Sequence, residues 1–143
     1  MAGKVIIRDR GYDKIMRNLK NATHEVTIGI HAADGSEQHE QGQTTAAVGA
    51  YHELGLGVPK RSFLAPTIDE NEKKYQRFFN KAGDQPIKKT LALIGEKAAS
   101  DVRKKIRSNI APALSPKTIA RKGSTVALID SGQLINSITY EVK

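Results

Sequence analysis

Apolar side chains recur along this chain with two different periods, and the switches between those periods predict its elements. Val26, Ile28 and Ile30 alternate with Thr27 and Gly29, the period of two that marks a half-buried strand. Ile138, Tyr140 and Val142 alternate in the same way and predict a second strand that joins the first in one sheet. Between them the period lengthens to three or four. Ile87, Leu91, Ile94, Ala98, Val102, Ile106 and Ile110 fall on one face of a helix over residues 86–110. Pro86 suits a first helical turn, where an N–H has no intrahelical partner, and Asp84 is a candidate cap before it. At 1.5 Å per residue such a helix runs roughly 37 Å. A stripe that long needs something laid along it, and the two strands are the candidates. Gly95 costs about 1 kcal/mol relative to Ala in a helix interior, so it predicts a close packing contact.

Shorter elements fill the rest. Val5, Ile6 and Ile7 predict a short strand, and Asp9 or Asp13 caps a predicted helix over 12–21 with Ile15, Met16 and Leu19 as its buried side. Residues 33–45 have almost no apolar side chain and predict a long, flexible loop that orders on assembly. Thr44 or Thr45 caps a helix through Leu54 that Gly55 ends, and Asp69 opens another to about Ala82, anchored by Tyr75, Phe78 and Phe79. Ser115 followed by Pro116 predicts a capped short helix to about Lys122. Ala127, Leu128 and Ile129 form a short apolar run, and one helical turn capped by Asp130 or Ser131 follows. Together these predict a single α+β domain over 1–143, with a small, mainly antiparallel sheet packed against one long amphipathic helix and shorter surrounding helices.

Composition narrows the function classes. With no cysteine, disulfides and thiolate metal sites are excluded. The N-terminal residues lack the apolar core of a signal peptide, and no run approaches the ~18 apolar residues of a membrane span. The expectation is a soluble protein with no membrane partner. The net charge of +8 is unevenly placed. Residues 1–80 carry 11 Lys+Arg against 10 Asp+Glu, residues 81–122 carry 11 against 3, and residues 123–143 carry 1 against 2. The excess therefore sits on the long helix and the segment after it, at Lys88, Lys97, Arg103, Lys104, Lys105 and Arg107 among others. Such a face is a contact for DNA phosphates, the solvated side of an amphipathic helix, or a surface that meets an acidic protein partner. No aromatic or glycine-rich base-reading element accompanies the charge, which favours the solvated or partner-facing reading.

Candidate chemistry is sparse. His31, His39 and His52 lie near Asp34, Glu37, Glu40 and Glu53, but His52 lacks a second histidine four residues on, and the spacing does not make a zinc site. Leu128-Ile129-Asp130-Ser131-Gly132 is similar to the active-site loop of retroviral-type aspartic proteases, where two carboxylates share a proton. The 11 residues after Gly132 are too few for the strands and flap such a fold builds next, so Asp130 is expected to cap a turn instead. No phosphate-binding, dinucleotide or nucleophile-elbow pattern appears. No cofactor and no catalytic residue is expected.

Two segments together carry a more specific signal. Glu53-Leu54-Gly55, then Pro59-Lys60-Arg61-Ser62-Phe63-Leu64-Ala65-Pro66, resembles the "EFG … PxRPFLRPA" pattern of tailed-bacteriophage neck and tail-completion proteins. Leu114-Ser115-Pro116-Lys117-Thr118-Ile119-Ala120-Arg121-Lys122-Gly123-Ser124, then Leu128-Ile129-Asp130-Ser131-Gly132-Gln133-Leu134 and Ser137-Ile138, is similar to their "LSPxTIxRKG … PLIDTGxLxxSI" pattern. Ser62 replaces the usual Pro, Val126-Ala127 replaces the Pro before the second apolar run, and Leu54 stands where Phe is common. The resemblance covers roughly residues 24–142. It implies a non-enzymatic virion protein, active in tail completion or head–tail joining, that forms a ring around the DNA channel. Its partners would be copies of itself, other neck, head-connector or tail-tube and terminator proteins, and passing DNA in nonspecific contact. Its place would be the neck or head-proximal tail end, after assembly in the host cytoplasm. The motifs nominate Glu53, Lys60, Arg61, Phe63, Leu64 and Asp130 for the assembly interface, with 60–64 read as basic and exposed apolar side chains.

Overall fold

The computed structural model describes residue 17 and residues 24–31, 42–129 and 132–143. The expected strand at Val5–Ile7, most of the 33–45 loop, Asp130 and Ser131 lie outside the described residues, as does the 12–21 helix apart from Arg17.

The chain runs β1 (Val26–Ile30), α1 (Thr45–Leu54), α2 (Ala65–Lys81), α3 (Ile87–Arg107), α4 (Pro116–Lys122), α5 (Gln133–Asn136) and β2 (Ile138–Val142). This is an α+β fold, a two-stranded antiparallel sheet packed against several helices. The register sets Val26 opposite Val142, Ile28 opposite Tyr140 and Ile30 opposite Ile138, so the two alternating apolar rows share one face. That face packs on α3. On its other flank α3 packs against α2, giving the layer order sheet, α3, α2.

Local chemistry explains where the helices begin and end. The Thr44 side chain accepts the Ala47 N–H at the start of α1, and Gly55 ends it in a left-handed conformation (φ 74°). A Cβ on Gly55 would also lie 2.9 Å from the Lys60 Cβ, so both the turn and the returning chain require glycine. Ser115 caps α4 by accepting the Thr118 N–H, with Pro116 beginning the helix. α3 is shorter than its periodicity predicts. Pro86 itself is the capping residue, no side chain bonds the first turn, and Asn109 takes a positive φ of 59° past the C-terminus. The Asp84 cap is therefore not made.

The core is built from Phe63, Ala99, Val102, Ile106, Leu128, Leu134, Ile135 and Ile138, with Ile28, Ile30 and Ile110 packed against it. Gly95 sits where the sheet comes closest, since a Cβ there would fall 2.5 Å from the Tyr140 ring. The expected close contact is present. Phe79, read as a helix anchor, is 39 % exposed instead.

Candidate functional site

The segment between α1 and α2 is organised by one carboxylate. Glu53, in the last turn of α1, accepts the Ser62 hydroxyl at 2.6 Å and the Phe63, Leu64 and Ala65 N–H groups at 2.7, 3.0 and 3.0 Å. Three of these donors lead into α2, whose first N–H groups have no helical partner. Glu53 thus caps α2 from the preceding helix and pins the intervening loop. A negative charge at this position also opposes the partial positive charge of the helix N-terminus. Burial alone would raise the Glu53 carboxyl, but the bonds from Leu64, Ser62, Ala65 and Phe63 outweigh it and hold it below the ordinary value. With that cap, α2 starts at Ala65 rather than at Asp69.

The 60–64 segment is not the exposed interface loop its composition predicts. Phe63 is fully buried in the core and Arg61 is only 4 % exposed. The Arg61 Nε donates to the Pro112 carbonyl at 2.9 Å, and its backbone N–H donates to the His52 carbonyl at 2.8 Å. Leu64 is half-buried, which leaves Lys60 as the exposed one of Lys60, Arg61, Phe63 and Leu64. The physical reason is the Glu53 cap, which draws the backbone inward and carries Phe63 beneath it. What remains exposed nearby are Leu54 and Leu56, flanking Gly55 at 62 % and 54 %.

The two motif segments meet. Phe63 of the first shares a core with Leu128, Leu134, Ile135 and Ile138 of the second, and the Arg61–Pro112 bond ties the first to the turn before α4. Beside this junction, burial and then the charges of Arg61 and Lys122 push the His52 imidazole below its ordinary value. The Lys122 ammonium donates to the Ala127 carbonyl at 3.0 Å. Asp130 lies outside the described residues.

The basic residues of α3 do not form one free stripe. Arg103 donates to the Ile138 carbonyl of β2, Lys105 pairs with Glu70 of α2 at 2.9 Å, and the Lys97 ammonium lies 4.7 Å from the Phe78 ring centroid. Lys88, Lys104 and Arg107 are exposed, with no ion-pair partner among the described residues. Beside them, Asp101 accepts from Lys74 at 2.5 Å and from the Tyr75 hydroxyl at 2.9 Å. Burial alone would raise the Asp101 carboxyl, but the Lys74 and Tyr75 bonds and the charges of Lys74 and Lys104 hold it below its ordinary value. Tyr75 is raised, by burial first and then by the Asp101 bond and charge.

Lys74, Arg77, Phe78 and Lys81 line an open depression of about 270 Å³ on the C-terminal half of α2. Their spacing of three and four along one helix face is the signal that marks it. Among the described residues no group of three or more His, Asp or Glu side chains could hold a metal, and no helix is long and apolar enough to cross a membrane. No protein-family model, curated protein or solved structure matches the chain.

Proposed function

We propose that this chain is a structural subunit of a tailed-phage virion, acting in tail completion or head–tail joining as a ring subunit around the DNA channel. The observation that carries the reading is the meeting of the two motif segments. The "ELG … FLAP" and "LSPKTIARKGS … LIDSG" stretches bear the resemblance, and in the fold they build a single core around Phe63 and Leu134. Residues that resemble one family only in combination are thus the ones that fold together.

The role is assembly by shape. A ring subunit meets its neighbours through different surfaces on its two sides, a heterologous contact that closes by rotation. Exposed Leu54 and Leu56 lie beside the N-terminal end of α2, and exposed Phe79 lies near its C-terminal end, so the subunit offers separate apolar patches along that axis. The engaged state of Lys97, Arg103 and Lys105 supports contact with protein over a continuous phosphate-tracking stripe.

Light scattering across protein and salt concentration, with a DNA titration alongside and negative-stain microscopy of the products, tests the reading. Closed rings without tight DNA binding are expected. A monomer or dimer that binds DNA tightly, with affinity falling steeply as salt rises, would replace it with a nucleic-acid-binding module.

A further inference from the structure

The C-terminal half of α2 carries charge of one sign. Residues 73–81 contain Lys73, Lys74, Arg77 and Lys81 and no Asp or Glu. Lys74 is neutralised by Asp101, whose side chain is largely buried, so among the described residues no free carboxylate opposes an anion there. Arg77 and Lys81 are exposed, one helical turn apart on the same face, and have no ion-pair partner among the described residues. The Arg77 Nε donates to the Lys73 carbonyl at 3.2 Å, which holds its stem along the helix and leaves the terminal nitrogens of its fork without a bond among the described residues.

Between these cations the surface is apolar. Phe78 and the aliphatic stems of Lys74, Arg77 and Lys81 line the depression of about 270 Å³. From α3, the Lys97 ammonium lies 4.7 Å from the Phe78 ring centroid. Leu93, one turn before Lys97 on the same face of α3, is 47 % exposed. Two apolar side chains, Phe78 and Leu93, thus lie among three cations, Arg77, Lys81 and Lys97, on two helices that pack together.

We propose that the depression beside Phe78 docks an acidic segment of a different protein, one that seats an apolar side chain there between carboxylates taken by Arg77, Lys81 and Lys97. The inference goes beyond the ring reading, because it requires no self-association. Charge complementarity selects the acidic occupant. An apolar contact at the centre excludes water, and carboxylate pairs at its rim gain from the lower local dielectric. The whole-chain charge selects a different protein. At +8 the chain draws an acidic partner in and repels a copy of itself approaching the same basic face. Nucleic acid fits less well, because phosphates gain nothing from an apolar lining. A stacked base also needs a bare ring face, and the Lys97 ammonium already lies over Phe78, whereas an aliphatic side chain packs against the ring edge and the neighbouring stems.

Fluorescence anisotropy of a labelled synthetic peptide of glutamates and leucines, added to the full chain, tests the contact. The same peptide with alanine for leucine and a labelled single-stranded oligonucleotide run beside it. The glutamate–leucine peptide is expected to bind Arg77→Glu/Lys81→Glu at least about tenfold more weakly than wild type. Lys117→Glu/Arg121→Glu makes the same change of charge at exposed positions of α4 and is expected to weaken binding less than about threefold. Wild type is expected to bind the alanine peptide at least about threefold more weakly than the leucine one. Circular dichroism verifies that both variants are folded. Equal losses in the two variants reduce the effect to net charge and overturn the proposal, as does equal binding of the alanine peptide by wild type. An oligonucleotide bound more tightly than the peptide, and released by Arg77→Glu/Lys81→Glu alone, assigns the face to nucleic acid and overturns it equally. Self-association lost in Arg77→Glu/Lys81→Glu by light scattering assigns the face to a second copy and overturns the different protein. Rings that close unchanged in that variant while peptide binding is lost support the proposal. A wild-type protein that stays monomeric at every concentration yet binds the peptide at this face overturns the ring reading and leaves the docking site standing.

Discussion

Glu53 shows how far one side chain reaches. Its two oxygens hold four donors from the next segment, 9 to 12 residues along the chain. Hydrogen bonds to a charged group contribute about 1.5–3 kcal/mol each, and they are not additive here because they share one carboxylate. Glu53→Gln leaves one amide NH₂ facing donors and is expected to lower stability by about 2–4 kcal/mol, read from urea denaturation. The pH dependence has a definite sign. Because the folded carboxyl titrates below its unfolded value of 4.5, its stabilisation is complete above that value and drains away as pH falls through the folded one. The acid limb of the stability profile should therefore be shallower in Glu53→Gln than in wild type. His52 acts in the same direction from a higher start. The folded imidazole stays neutral below 6.5 while the unfolded one takes a proton, so stability is full above that pH and falls below it. His52→Gln should flatten the slope that begins at 6.5, and an unchanged slope would assign it to another group. The motif pattern marked Glu53 as important, but its partners were hidden. Caps are usually local, and this one comes from another helix, so no short-range signal pairs Glu53 with Phe63.

At the scale of elements, strands and the long helix were legible because alternation and helical repeat are direct consequences of burying one face. The register of β1 and β2 places those very positions opposite one another. The start of α2 was not legible, since Asp69 looks like a cap, while the helix begins four residues earlier at Ala65 and is capped by Glu53, 12 residues before that start. Phe79 misled for a related reason. Adjacent aromatics cannot both face one neighbour, and Phe78 is the one beneath Lys97. The approach of β2 to α3 yields a sharp prediction. Gly95→Ala gains about 1 kcal/mol of helix propensity, yet its Cβ meets three Tyr140 atoms between 2.5 and 2.9 Å. Overpacking of that kind costs about 1–3 kcal/mol or more, so a net loss is expected, and Gly95→Ala in a Tyr140→Ala background should cost less than in wild type. The basic face of α3 divides in the same test. Arg103→Ala removes the bond to Ile138 and is expected to cost about 1–2 kcal/mol, whereas Lys88→Ala should stay within about 0.5 kcal/mol. Equal losses in thermal unfolding would contradict the division of that face into engaged and free cations.

For the whole molecule, the net charge of +8 was readable at once, but its disposition was not. A basic count along α3 suggests one continuous surface, and the fold instead spends Arg103 and Lys105 on neighbouring elements while α2 supplies Arg77 and Lys81. Lys104→Glu/Arg107→Glu lies on exposed positions and should leave denaturant stability within about 0.5 kcal/mol. Particle-joining defects without any lost DNA affinity would then place this end of α3 against protein.

The sheet sets a mechanical property of the subunit. β1 begins beside the place where β2 ends, and Glu25 and Lys143 exchange both backbone hydrogen bonds there, at 3.1 and 3.0 Å. Tension applied across residues 24 and 143 therefore pulls perpendicular to the strands and loads the terminal pair first. The ladder peels one rung at a time, Val26 from Val142 and then Thr27 from Glu141, in place of shearing all rungs together. A load that leaves the strands closed has to enter the molecule elsewhere than at this end of the sheet.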